Sequence, residues 1–381
     1  MGLSGGNRLF RSWTPHPRWA KIALHGLMDQ GCRMRLLLTA PLLMGLAVPG
    51  YAAAIEGVTF THHDWTLACD NTRTCRAAGY QADDNGGDPV SILLTRAGGP
   101  DQPVHAELML GQYDDNTATK RLSLSINGTS LGPMQFDAAE GTATFSAKQL
   151  AALLASLARN SRIELMGDDG ARWTVSDQGA SAVLLKMDAF QGRLGTPGAL
   201  MRKGKQAESS VPPALPVPVV QLGKPVPTRP ADKALAASPA LRAALAAVTS
   251  ADDCEALGAG GSPSPDGEPE ALTVQRLSAD KLLVSLSCWR GAYNTGDGYW
   301  VINDRAPYQP RLVTTAAVGD EVRTIQEAQK GRGLGDCWST TTWGWTGSQF
   351  VKTADSSTGL CRLVAAGGAW EMPTLVTQVR E

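Results

Sequence analysis

The sequence predicts a mainly β protein, built as two antiparallel sandwich-like or barrel-like domains that each carry one packed helix and are joined by a proline-rich linker. Three observations predict it. Short runs with alternating apolar positions recur between turn-forming clusters along residues 55–381, the pattern of half-buried antiparallel strands. Six cysteines lie in that stretch (Cys69, Cys75, Cys254, Cys288, Cys337 and Cys361), none with the C-x-x-C spacing of a redox or zinc site, so an exported chain would use them as disulfides. Residues 211–230, VPPALPVPVVQLGKPVPTRP, hold seven prolines, which fix φ and remove backbone donors, so this stretch is neither helix nor central strand.

In chain order, residues 34–54 (MRLLLTAPLLMGLAVPGYAAA) read as a secretory signal peptide. Arg35 supplies the positive start. Residues 36–48 form an apolar run of thirteen, shorter than the ~20 that a bilayer span needs, and Gly50-Tyr51-Ala52 or Ala52-Ala53-Ala54 offers the small residues of a cleavage site. Residues 1–33 then read as a mis-called extension ahead of Met34. The expected mature chain begins at Ala53 or Ile55, lacks Cys32 and is periplasmic. The removed part carries six basic residues and one acid, so a chain of formal charge −1 becomes distinctly acidic. That balance argues against nucleic acid and anionic membrane surfaces as partners, and no later apolar run approaches a membrane span.

The first domain, residues 55–198, opens with a hairpin pattern: Trp65 to Cys69, the turn formers Asp70-Asn71-Thr72-Arg73, then Thr74 to Ala77. Further strands are expected at 90–95, 105–110, 121–126, 142–145, 162–166, 172–176 and 182–187, punctuated by Asn127-Gly128 and Asp168-Asp169-Gly170. One helix interrupts them. Ser146-Ala147-Lys148-Gln149 is a capping box, and Leu150, Leu153, Leu154 and Leu157 follow on one helical face.

Residues 199–235 form the linker, an extended spacer of up to ~60 Å at ~3.1 Å per residue. The second domain, 236–381, opens with a helix capped by Ser238, with Pro239 in its first turn and Leu241, Leu245 and Val248 on one face. Strands follow: Leu282, Val284, Leu286 and Cys288 alternate with Leu283, Ser285 and Ser287, and residues 294–298 turn the chain into Tyr299-Trp300-Val301-Ile302. Residues 311–315, 339–345, 349–353 and 375–379 are further strands, and 322–330 fits either helix or strand.

Six cysteines allow fifteen connectivities. The linker sets Cys69 and Cys75 apart, across the neck of a tight hairpin where a bridge is easy. Of the three pairings left, Cys254–Cys288 would staple the capped helix to an apolar strand face, and Cys337–Cys361 would close the excursion that contains residues 343–350.

The motifs Leu286-Ser287-Cys288 with Gly291-Ala292-Tyr293-Asn294, Gly331-Arg332-Gly333-Leu334-Gly335-Asp336-Cys337, Trp343-Gly344-Trp345-Thr346-Gly347-Ser348-Gln349-Phe350, and Cys361-Arg362 with Trp370-Glu371-Met372-Pro373 resemble the bacterial domain-of-unknown-function 1176 family. Trp65, Cys69 and Cys75, with a later strand at 184–190, are similar to invasion-associated locus B proteins. Together these cover most of residues 55–381. Trp338 departs from the family, which usually has a small residue, often Gly, after that Cys. The resemblance implies an exported envelope protein and brings no established activity or catalytic residues.

His62-His63-Asp64 is the one histidine cluster, but adjacent strand residues face opposite sides and cannot share one metal. Asp83-Asp84-Asn85-Gly86-Gly87-Asp88 lacks the register of a calcium loop and reads as a solvated turn. There is no nucleophile elbow, P-loop or dinucleotide fingerprint, so no cofactor, metal or catalytic residue is assigned. The aromatic residues remain. Trp338, Trp343 and Trp345, with Tyr299 and Trp300, could stack on sugars or anchor a protein, or simply fill a small core. Arg332 and Asp336 bracket a glycine-rich loop suited to a tight turn or an anion nest, or to a plain ion pair. The expected function is a non-enzymatic envelope module that binds a protein or a glycan. The alternative is an envelope hydrolase whose carboxylate pair no spacing marks.

Overall fold

In the first sheet, strands β1 (Val58–His62), β2 (Trp65–Cys69), β3 (Cys75–Tyr80), β4 (Val90–Arg96) and β5 (Val104–Leu110) pair antiparallel in chain order. The computed structural model describes residues 55–83, 87–111, 119–258, 270–321 and 323–381. The expected extension and signal peptide lie outside the described residues, as do 84–86 of the acidic loop. After β5 the chain forms β6 (Leu122–Ile126), β7 (Thr129–Pro133), β8 (Gln135–Asp137) and β9 (Thr142–Thr144). Then follow helix α1 (Ala147–Ser156), β10 (Ile163–Gly167), β11 (Arg172–Val175) and helix α2 (Ala180–Phe190). β9 and β8 extend the first sheet, and β11-β10-β6-β7 make a second. Between the sheets and both helices lies one core of Trp65, Leu67, Ile92, Leu94, Leu108, Leu124, Leu165, Leu153, Leu184 and their neighbours.

α1 starts as the capping box dictates: Ser146 Oγ accepts from the Gln149 N–H, and the Gln149 side chain accepts from the Ser146 N–H. α2 corrects the strand expected at 182–187 and at 184–190. Ala180, Val183, Leu184 and Met187 are its buried face, spaced i, i+3, i+4, i+7, a helical period hidden inside a short apolar run. Gly179 precedes it at φ 93°, where a Cβ would lie against the His62 carbonyl, so the helix begins on a residue only glycine suits.

The proline-rich segment is extended and held along its length. Arg73 Nη1 donates to the Pro213 carbonyl, the Leu215 N–H to Thr72, and Val211 is buried. β12 (Val219–Gln221) pairs in parallel with residues 378–380. α3 (Pro230–Ala234) and α4 (Pro239–Ala246) follow, the latter capped by Ser238 Oγ on the Leu241 N–H. Leu241 and Leu245 are buried, whereas Val248 falls beyond the helix and is exposed.

Eight strands in chain order then form one antiparallel meander: β13 (Thr273–Arg276), β14 (Lys281–Arg290), β15 (Thr295–Asn303), β16 (Arg311–Glu321), β17 (Thr324–Lys330), β18 (Trp338–Trp345), β19 (Phe350–Ser357) and β20 (Met372–Leu375). β17 decides the ambiguous stretch as strand, with Val322 outside the described residues. Residues 295–298, read as turn, already belong to β15. The sheet curls into a half-barrel. On one face Leu282, Val284, Leu286, Trp300 and Ile302 meet α4, stapled by Cys254–Cys288. On the other lie Leu283, Tyr299, Ala317, Ile325 and Trp345. β21 (Gln378–Arg380) completes the ladder with β12.

The return from β19 to β20 packs on the first sheet's outer face, where Ala68, Ala78, Tyr80 and Leu93 meet Val364, Ala369 and Met372. The first sheet is thus covered on both sides, which is why β2 is buried at every position. The Leu360 N–H donates to Tyr80 Oη, Trp370 Nε1 to Ser91 Oγ, and Arg362 pairs with Asp64 at 2.9 Å. The described residues between 55 and 381 accordingly form one compact unit. A boundary between two independently stable domains at 199–235 stays a proposal.

Candidate functional site

The candidate residues fall in three places. Trp300 is fully buried under α4 and donates its Nε1–H to Thr249 Oγ1. Tyr299, Trp343 and Trp345 share the opposite face of the half-barrel. Trp345 is 1% exposed and lies against Phe350, and the Tyr299 hydroxyl donates to Asp320 Oδ1 at 2.8 Å. Trp343 is half-buried, donates to Glu327 Oε1 and carries the Lys352 ammonium 5.4 Å from its ring centre. Trp338, Arg332 and Asp336 form the third place and are brought together at one rim of the sheet.

That rim is the loop between β17 and β18. Its ends are tied by the Gly331 N–H to the Cys337 carbonyl, and the Cys337–Cys361 disulfide fixes it to the segment after β19. Gly331 leaves no room for a side chain, since a Cβ there would sit 2.7 Å from Cys337 Sγ and 2.9 Å from Cys361 Sγ. Inside the loop the Arg332 guanidinium grips Asp336 with two parallel bonds, Nε to Oδ1 at 2.7 Å and Nη2 to Oδ2. Asp336 Oδ2 also accepts from the Leu363 N–H at 2.7 Å. Burial alone would raise this carboxyl, but the bonds from Arg332 and Leu363 outweigh it and hold the group below the ordinary carboxylate range.

Trp338 adopts extended backbone at the start of β18, so the bulky residue needs no special φ there. Its Nε1 donates to the Gly335 carbonyl, and Lys330 Nζ lies 5.3 Å from its ring centre. Asn294 bonds both backbone groups of Lys330, tying the loop to the β14–β15 turn.

The outcome is a stiff loop with an apolar display. Leu334 is 64% exposed, Tyr293 47% and Leu363 37%, and the Tyr293 ring lies 3.6 Å from where a Gly333 Cβ would be. Beside them a cavity of about 190 Å³ is lined by Arg332, Cys361, Arg362 and Leu363 on one side and Gln81 and Asp83 on the other. Sequence reasoning chose Arg332, Asp336 and Trp338 but missed Leu334, Tyr293 and Leu363. The signal was available, because a leucine flanked by glycines cannot bury itself in its own loop.

The same face as Tyr299 also carries two carboxylates, Asp297 and Asp320. Asp297 faces Ser287 across β14 and β15, and Asp320 accepts from Tyr299 and from Gln275 Nε2 at 2.9 Å. Burial first, then the charges of Glu270 and Asp320, push the Asp297 carboxyl above its ordinary range. Burial and the Asp320 carboxylate likewise push the Tyr299 phenol up.

Ligand atoms of Asp336, Cys337 and Cys361 lie within 4.8 Å of one another, but the two sulfurs are bonded together and offer no thiolate. His62 ends β1 while His63 sits in the following turn at φ 49°, their rings 4.4 Å apart.

Residues 59–377 match a family described as "Protein of unknown function (DUF1176)". An "Uncharacterized protein YpfG" of Escherichia coli (strain K12) is 26% identical over 345 residues, covering 82% of this chain and 90% of that protein. No solved structure matches.

Proposed function

Because the chain belongs to the DUF1176 family, whose description carries no activity, we propose from the site itself that it is an exported envelope protein that binds another protein through the loop at residues 331–337. Three disulfides, and the lack among the described residues of any helix long and apolar enough to cross a membrane, are consistent with export, and the signal peptide read at 34–54 supplies the route to the periplasm. The single observation that carries the binding reading is Leu334. A side chain 64% exposed is held out by a loop that a disulfide, a bidentate ion pair and the Trp338 indole make rigid, with the exposed Tyr293 ring beside Gly333 of the same loop and Leu363 bonded to its Asp336. Pre-organised apolar anchors of this kind lose little entropy on docking. A protein suits this loop better than a glycan, since the Trp338 ring already carries an ammonium and its N–H is spent on the chain itself.

Leu334→Asp should leave stability within about 0.5 kcal/mol, as exposed substitutions do. Envelope extracts passed over wild type, Leu334→Asp and Trp343→Ala baits, with sacculi in parallel, provide the test. The expected result is a protein retained by wild type and Trp343→Ala and lost at least tenfold with Leu334→Asp. Retention of sacculi that depends on Trp343 would instead support the glycan reading.

The hydrolase reading keeps one observation in its favour: Asp297, held protonated to higher pH, beside Asp320 and Tyr299, the two-carboxylate contrast that acid–base hydrolysis uses. Any release of soluble sugar or peptide from sacculi should vanish with Asp297→Asn. Equal release by wild type and variant would remove this reading.

A further inference from the structure

The return segment after β19 covers only part of the first sheet's outer face. It packs on Ala68, Ala78 and Leu93, and beyond Leu93 the polar side chains of β5, β9 and β8 stay open to solvent. Leu108, Phe136 and Ala143 turn to the core, so Glu107, Gln135, Asp137, Thr142 and Thr144 point outward. They stand in two cross-strand rows, Glu107 beside Thr144 beside Gln135, and Met109 beside Thr142 beside Asp137. Strand spacing and rise make this floor about 10 Å across the strands and about 7 Å along them. Trp370, half-buried and packed with Leu93 and Met109, forms a wall on the β5 side, and wall and floor bound a cleft of about 200 Å³. The ring is fixed in place: its Nε1–H donates to Ser91 Oγ at 2.7 Å, and Ser91 Oγ, fully buried, donates to the Gly79 carbonyl at 2.9 Å. Among the described residues no ammonium lies over this ring, unlike those of Trp338 and Trp343.

We propose that this cleft binds one uncharged pyranose ring, as a single residue of a glycan. The volume suits one ring, being below the ~300 Å³ at which pockets for larger organic molecules begin. The apolar C–H face of a pyranose stacks on the indole, and its hydroxyls, each donor and acceptor at once, need partners of both kinds. The floor supplies both. Gln135 Oε1 accepts the Thr144 hydroxyl at 3.1 Å, which leaves Gln135 Nε2 to donate. Asp137 spends Oδ1 on the Ala139 and Glu140 N–H groups and keeps Oδ2, and the Glu107 carboxylate has no partner among the described residues. No lysine, arginine or histidine lines the cleft, so an acidic sugar would bring its anion to Glu107 and Asp137 without a countercharge. A simple ammonium ion would leave the Gln135 donor unused and would meet one ring rather than a cage. β8 is the sheet's edge strand, so neighbouring residues of the glycan run off into solvent. None of these side chains belongs to the loop at 331–337, and the site stands whether or not that loop docks a protein.

The test is saturation-transfer NMR on the folded full-length protein, with the methyl glycosides of glucose, galactose, mannose and N-acetylglucosamine, and with glucuronic acid. At least one neutral glycoside should bind at about millimolar affinity, as a single ring allows, and glucuronic acid at least tenfold more weakly. Glu107→Ala and Gln135→Ala, both at exposed positions and so expected to keep the native circular dichroism, should each weaken binding at least fivefold. The Trp370 indole N–H resonance, assigned with Trp370→Phe, should shift during the titration of wild type, and Leu334→Asp should bind as wild type does. Binding of none of the four neutral glycosides would overturn the proposal, as would equal binding of glucuronic acid. So would binding that Glu107→Ala and Gln135→Ala both retain, that Leu334→Asp removes, or that leaves the Trp370 resonance unmoved.

Discussion

Asp232 and Arg276 show how much one pair of side chains settles. Both are nearly fully buried, Arg276 Nε and Nη2 reach the two oxygens of Asp232, and Asp232 also accepts from the Arg229 N–H, so the pair locks α3 onto β13. The bond from Arg276 is the main reason the Asp232 carboxyl lies below its ordinary range. A depressed carboxyl contributes stability that is whole above its unfolded value of about 4 and is lost as the pH falls through the lower folded one. Asp232→Asn should therefore cost about 3 kcal/mol at pH 7, where Arg276 keeps Asp304 as its one carboxylate partner beside the Ser278 and Ala279 carbonyls. The gap from wild type should narrow below about pH 4. Urea midpoints at pH 7 and pH 3 measure it, and a gap that stays constant would show the pair to be inert. Neither residue was legible as a partner in sequence, because they stand 44 positions apart with no motif between. By contrast Arg332 and Asp336, four apart among glycines, could be read directly.

Among the elements, strands and capped helices could be read wherever a local rule acts alone. The Ser146 and Ser238 caps, the hairpin closed by Cys69 and Cys75, and the alternation along β14 all needed only near neighbours. α2 was misread because its period occupies a short apolar run that a buried strand would share. The docked side of the first sheet was equally hidden, since alternation breaks when both faces are covered. The three bridges join the cysteines that spacing paired, and Cys254–Cys288 fastens α4 to the half-barrel. Its closed loop of 34 residues implies roughly 3.5–4 kcal/mol, by chain entropy. Replacing both cysteines by Ala should lower stability by about that much and unpack α4 first. Amide exchange would report it as lost protection at Leu241 and Leu245 ahead of β14.

For the whole molecule, the return segment between β19 and β20 joins the two sheet systems. Besides the apolar strip it supplies Leu360 to Tyr80, Trp370 to Ser91 and Arg362 to Asp64, while Asn71 bonds both backbone groups of Val376. A protease nick between residues 201 and 237, at the proposed domain boundary, should leave two fragments that elute together in gel filtration and part only in denaturant. Separate elution in native buffer would mean these contacts are too weak to hold the parts. The short parallel ladder of β12 and β21 has a mechanical consequence as well. Tension applied across residues 55 and 381 would enter β12 at Val219 and β21 at Arg380, at opposite ends of strands that run the same way. The ladder is then sheared rather than unzipped, its hydrogen bonds stretched together and not in turn. Three paired residues, backed by the Arg323–Glu381 ion pair, thereby act as a clasp that keeps a pull at residue 381 from peeling the half-barrel open strand by strand.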